Sequence, residues 1–231
     1  MKIELPKEKR EMVAVLLVAP AVLTLFMYHG SARSLEGLAQ KIAGSQNVNY
    51  YSTLLQFVSM FLFLFVIPAL VTKFLLKRKL KDYGLAIGDS RLGFKLVALV
   101  IPLVVVPIMY IGSRFPEVRA AYPLSQSAKN SAQMFITYQL LYGLSYFGWE
   151  FFFRGFMIFG LKDSLGKTAA ILISVMPSCI MHYAKPEIET WGSILVGILF
   201  GIACVRARSF IYVFAIHWSI GFFNDVFVSF F

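Results

Sequence analysis

An all-α, polytopic transmembrane helix bundle is the fold class this sequence predicts, from two observations. The 231 residues are 58% hydrophobic and only 15% charged, where soluble domains average about 45–50% apolar and about 25% charged. The apolar residues also fall into runs near the roughly 20 residues that a helix needs to cross about 30 Å of hydrocarbon. A mean hydropathy of +0.72 agrees.

The first run, 12–28, follows a charged start with Lys2, Lys7, Lys9 and Arg10. It is too long for a signal-peptide core and has no Ala-x-Ala-like site after it, so it reads as a retained helix. Further runs lie at 54–76, 96–112, 134–161, 169–183, 193–205 and 210–231, which gives about seven spans. The polar connections 30–51, 77–95 and 113–131 are too short to bury cores of their own, and no internal repeat interrupts the chain. It therefore reads as one membrane domain, with 1–130 supplying N-terminal scaffold helices and 131–231 a four-helix core that carries the chemistry.

Short cytoplasmic loops carry an excess of Lys and Arg. With the N-terminus inside, that side collects fifteen of these residues and the opposite side six, namely Arg33, Lys41, Arg114, Arg119, Lys129 and Lys185. The expected orientation is N-terminus cytoplasmic and C-terminus outside. The formal charge of +10 is spread over several loops with no compact basic face, so nucleic acid is not an expected partner. The cluster at 73–81 is expected to meet anionic lipid headgroups or to act as a topology signal alone. Cys179 and Cys204 lie inside predicted spans, with no CxxC pattern, and read as packing residues. Ser193, Gly197 and Gly201 recur every four residues, the small-xxx-small spacing of closely packed membrane helices.

Ionisable residues inside a membrane are costly and usually functional. The fourth run holds Glu150 and Arg154, the fifth ends in His182, and the seventh holds His217, Asn224 and Asp225. Glu150 and Arg154, at i and i+4, share a helix face and would neutralise each other. Asn224 and Asp225 stand at i+7 and i+8 from His217, within reach of its face. A Glu, two His and an amide or carboxylate form a catalytic or metal-binding inventory. A transporter or proton-conducting protein would use the same buried Glu, Arg and His, and Pro177 supplies one of the helix breaks such a protein needs, without a second repeat.

The Glu150-Phe-Phe-Phe-Arg154-Gly155 stretch, His182 in the next run and His217 in the last resemble the motifs of the CPBP or Abi family, the intramembrane proteases that include CAAX prenyl endopeptidases and bacteriocin-processing or self-immunity proteins. The segment from His182 through Lys185-Pro186 to Glu189 and Gly192-Ser193 is similar to a variant of the second motif. The resemblance covers about 131–231. It departs at Trp149, where the family has the first of two glutamates, at Ser178, where an aromatic residue is usual, and at Gly221, where an Asn or Asp is common.

The resemblance implies an endopeptidase of a prokaryotic cell membrane, acting on a lipidated or membrane-anchored protein or peptide. Glu150 and His182 would activate a water, and His217 with Asn224 would bind the tetrahedral oxygen. Arg154 and Asp225 would support them, and Glu189 would meet a basic group of the substrate at the mouth of the site. No cofactor is favoured. A metal-dependent version would use Glu150, His182 and His217 as ligands to a divalent ion such as zinc. A noncatalytic immunity or scaffold protein is the alternative that Trp149 suggests.

Overall fold

The computed structural model describes residues 6–183 and 185–231. Of the N-terminal cations in the charge count, Lys2 and the side chain of Lys7 lie outside the described residues, as does Ala184 of the loop after His182. Among the described residues all regular structure is helical. In hydrocarbon a helix satisfies every backbone group within its own segment, which is why long apolar runs take this form.

Eight principal helices follow in order. They are α1 (Lys7–His29), α2 (Ala32–Ala43), α3 (Val48–Leu75), α4 (Ser90–Gly112), α5 (residues 132–165), α6 (Lys167–Ile180), α7 (Glu187–Ala207) and α8 (Ile211–Phe230). α1, α3, α4, α7 and α8 are long and apolar enough to cross a membrane, and the chain is an integral membrane protein. α5 and α6 account for the other two runs. α5 is long but carries a polar stripe, and α6 is a shorter apolar helix.

Local rules set the boundaries. Ser131 caps α5, its Oγ accepting from Met134 N at 3.2 Å, and Asp89 caps α4 through Leu92 N at 3.0 Å. Two segments read as connections are in fact helical. Ser31 caps the amphipathic α2, whose polar face disguises it among the residues of 30–51. Glu187 and Glu189, which fall between the runs 169–183 and 193–205, sit in the first turn of α7, where carboxylates complement the positive end of the helix.

One apolar core joins the two halves of the chain. Val15, Ala19 and Val22 of α1 and Leu64 of α3 pack with Phe152, Phe156 and Ile158 of α5. The glycines of α7 make the close approach their spacing predicts. A Cβ on Gly201 would meet Ile171 of α6 at 2.8 Å, and one on Gly197 would meet Val175 at 3.0 Å and Arg154 Nη2 at 3.6 Å. Gly197 thus makes room beside the buried guanidinium.

The charged loops sort to opposite ends of the bundle. At one end Arg78 pairs with Glu11 at 2.8 Å, Asp89 N donates to Ala207 O, and Phe210 N donates to Gly84 O. At the other, Arg114 donates to Phe231 O at 3.0 Å and Lys185 meets Tyr122. The expectation of dispersed basic loops is corrected here. Arg78, Lys81, Lys162, Lys167 and Arg208 line a single cavity, because residues far apart in sequence lie at helix ends that the bundle brings side by side.

Candidate active site

Glu150 ends the first α-helical part of α5 and is fully buried. The next seven residues, Phe151–Met157, form a π-helical stretch that contains Arg154. Such π segments break the regular ladder and are frequent at functional sites. Three rings, Phe151, Phe152 and Phe153, are fully buried around it, so the carboxylate is set in an apolar wall where an unpaired charge is not tolerated.

It is paired twice. His217 of α8 donates from Nδ1 to Glu150 Oε1 at 2.5 Å. Arg154 Nε lies 3.4 Å from Oε2 as an ion pair, with its guanidinium over the rings of Phe153 and Phe200 at 5.8 Å each. The ion pair lacks hydrogen-bond geometry, so Glu150 Oε2 and Arg154 Nε and Nη1 are buried without a hydrogen-bond partner. The His217 ring is itself held edge-on by Tyr146 at 4.6 Å and by Phe200 of α7 at 5.5 Å.

His182 lies just past α6, in the turn leading to α7. Its Nδ1 is 2.7 Å from Ser178 O. A carbonyl oxygen only accepts, so Nδ1 carries the proton and Nε2 of the neutral ring presents a lone pair. Thr190 Oγ1 donates to His182 O at 2.8 Å and fixes the turn. Trp149 packs edge-on against the His182 ring at 5.3 Å, and its Nε1 is a buried donor without a partner. Trp149, which meets the His182 ring, is the chain neighbour of Glu150. α5, α6 and α8 thus bring Glu150, Arg154, His182 and His217 together, with α7 lining the side.

Asn224 and Asp225 belong to a second group. Asn224 lies two turns beyond His217 on α8, and among the described residues no hydrogen bond joins it to Glu150, His182 or His217. Asp225, fully buried, accepts from Gln139 Nε2 at 2.8 Å. Nearby, Tyr146 donates to Tyr142 Oη at 3.0 Å. Glu189 accepts from Tyr122 OH at 2.5 Å, and Lys185 Nζ donates to Tyr122 Oη at 3.0 Å, so both charges are engaged with the loop before α5. Burial pushes the Lys185 ammonium below its usual range, and Glu189 and Asp225 partly offset this.

Gln139 and Tyr122 were not singled out by sequence. Yet Tyr138, Tyr142, Tyr146, Glu150 and Arg154 recur every four residues, and that polar stripe along an apolar helix was a readable signal. Among the described residues no three His, Cys, Asp or Glu side chains gather as a metal-binding group.

Residues 131–223 match the family model described as Type II CAAX prenyl endopeptidase Rce1-like. The match takes in α5, α6, α7 and most of α8, and it agrees with the resemblance carried by Glu150, Arg154, His182 and His217. No curated protein and no solved structure matches the chain.

Proposed function

We propose that this protein is an intramembrane endopeptidase of the CAAX-protease type, which hydrolyses a peptide bond with a water activated by Glu150 and His182. The observation that carries the reading is a fully buried carboxylate with one oxygen bound by His217 and the other without a hydrogen-bond donor. Oε2 faces only the Arg154 guanidinium, so a water that enters beside the ion pair would find an acceptor there, and His182 Nε2 would be a second one. Together they would take the proton that the attacking water loses, the task of a general base.

His217 has already given Nδ1–H to Glu150. To donate from Nε2 to the developing oxyanion as well, the ring would need a proton on both nitrogens. The Trp149 indole supplies a further buried N–H beside His182, a donor at the position where the family has a carboxylate acceptor. Arg154 balances the carboxylate through the cycle. Asn224 shares a helix face with His217 two turns away, so its reach is to the substrate chain flanking the scissile bond. The proton held by Glu150 or His182 would then pass to the leaving amine.

The role of Trp149 is tested by Trp149→Phe, which keeps an aromatic ring and removes the N–H. Loss of one oxyanion donor lowers kcat about 10²- to 10³-fold. The expected result is a fall toward that range with the same thermal unfolding profile, and an unchanged kcat contradicts the donor role.

The reaction is tested with the full chain in proteoliposomes, a prenylated CAAX peptide and a bacteriocin leader peptide, in water enriched in ¹⁸O. Hydrolysis places one ¹⁸O in the new carboxylate. Intact peptides under all conditions contradict the reading for these substrate classes. A chelator is expected to leave the rate unchanged. Loss of activity that zinc restores contradicts the metal-free route and assigns Glu150, His182 and His217 as ligands.

Trp149 in the place of a glutamate also favours a second reading, a noncatalytic immunity or scaffold partner. That reading expects the biological effect to survive Glu150→Gln. For the orientation we propose the basic end as cytoplasmic, from the excess of Lys and Arg there.

A further inference from the structure

The end of the bundle remote from Tyr122 and Lys185 contains a cavity of about 550 Å³. Its cations come from separate segments. Arg78 and Lys81 follow α3, Lys162 ends α5, Lys167 begins α6, and Arg208 follows α7. Two carboxylates, Asp82 and Asp163, share the lining.

The carboxylates in and beside the cavity already have partners. Asp163 is taken by Lys162 at 2.7 Å, and Arg78 by Glu11 at 2.8 Å. Asp82 accepts from the backbone N–H of Lys79. Lys81, Lys167 and Arg208 have no carboxylate partner within salt-bridge distance among the described residues. Like charges gathered this way repel, and a bound anion relieves that repulsion.

A further feature points the same way. The 14-residue α6 starts at Lys167 without a side-chain cap, so its first N–H groups and the positive end of its dipole lie beside the lysine. Cations and helix-terminal N–H groups are a donor set that a phosphate takes.

We propose that this cavity is a discrete site for the phosphate of an anionic phospholipid headgroup. It lies at the junction of the ends of α3, α5 and α7, the depth at which membrane helices meet headgroups. Phe74 and Leu75 just before it are 64% and 65% exposed, an apolar flank suited to acyl chains, which a free phosphate ion would not use. A phosphatidylglycerol-type headgroup carries one net negative charge and fits. A phosphatidylcholine headgroup would bring its own cation toward five others.

The test uses the purified full chain in detergent, titrated with phosphatidylglycerol or phosphatidylcholine and read by native mass spectrometry. The wild type is expected to retain one phosphatidylglycerol in preference to phosphatidylcholine. Each basic residue near a membrane surface contributes about fivefold in affinity, so the triple change Lys81→Gln, Lys167→Gln and Arg208→Gln should weaken retention by about a hundredfold. The comparison triple Lys73→Gln, Lys77→Gln and Lys79→Gln, which lies outside the cavity lining, should retain the lipid as the wild type does. Equal retention of both lipids, or an equal loss in the two triples, overturns the site in favour of diffuse attraction. Displacement of phosphatidylglycerol by inorganic phosphate at matched concentration overturns the lipid assignment in favour of a soluble phosphate. An unfolded cavity triple is recognised by loss of helical circular dichroism, and the single changes Lys167→Gln and Arg208→Gln then carry the test, each expected to weaken retention several-fold.

Discussion

Glu150→Gln is expected to lower the cleavage rate about 10²- to 10⁴-fold, the range that a positioned general base contributes. The substitution keeps the shape of the side chain and its oxygen toward His217. It removes the negative charge and the basic oxygen beside Arg154, so the activation of water fails. Single-turnover kinetics on a cleavable peptide measures the effect, and a rate within threefold of the wild type would show that Glu150 is not the base.

The second large effect concerns stability. Arg154→Met leaves the Glu150 carboxylate buried beside three phenylalanines with only His217 to balance it. Breaking one partner of a buried pair typically costs about 3–5 kcal/mol, whereas replacing both by apolar groups of similar volume is often neutral. Arg154→Met should therefore unfold at distinctly lower temperature or denaturant than the wild type. The double change Glu150→Leu with Arg154→Met should recover most of that loss and remain inactive. Thermal unfolding in one detergent separates the cases. If Arg154→Met is as stable as the wild type, the carboxylate does not depend on its neighbour and the account of the pair is wrong.

These two predictions rest on residues that the sequence exposed, because an ionisable group in an apolar run stands out wherever it falls. Glu150, Arg154, His182 and His217 were legible for that reason, and the helical character of the chain was legible from run length. The partners that tune them were harder to see. Whether His217 would reach Glu150 or pair along its own helix with Asn224 depends on how α5 and α8 face each other, which helical periodicity alone leaves open. Gln139 drew no attention because a single amide in a long apolar run resembles an ordinary packing residue until Asp225 is seen opposite it. α2 was hidden by its own amphipathicity, and the start of α7 by the Glu187 and Glu189 pair, which reads equally well as a polar loop. The basic cavity joins segments more than a hundred residues apart, Arg78 and Arg208 among them, and no local pattern announces it.

The central claim is that this site cuts peptide bonds, and its most direct test compares the termini of membrane and secreted proteins from cells carrying the wild type, Glu150→Gln, His182→Ala or no copy of the protein. A discrete set of new termini is expected with the wild type alone, at positions near a membrane anchor or a lipidated end. Identical termini in all four strains, together with a phenotype that still responds to Glu150→Gln, would contradict proteolysis and point to the buried Glu, Arg and His as a transport or proton-conducting device.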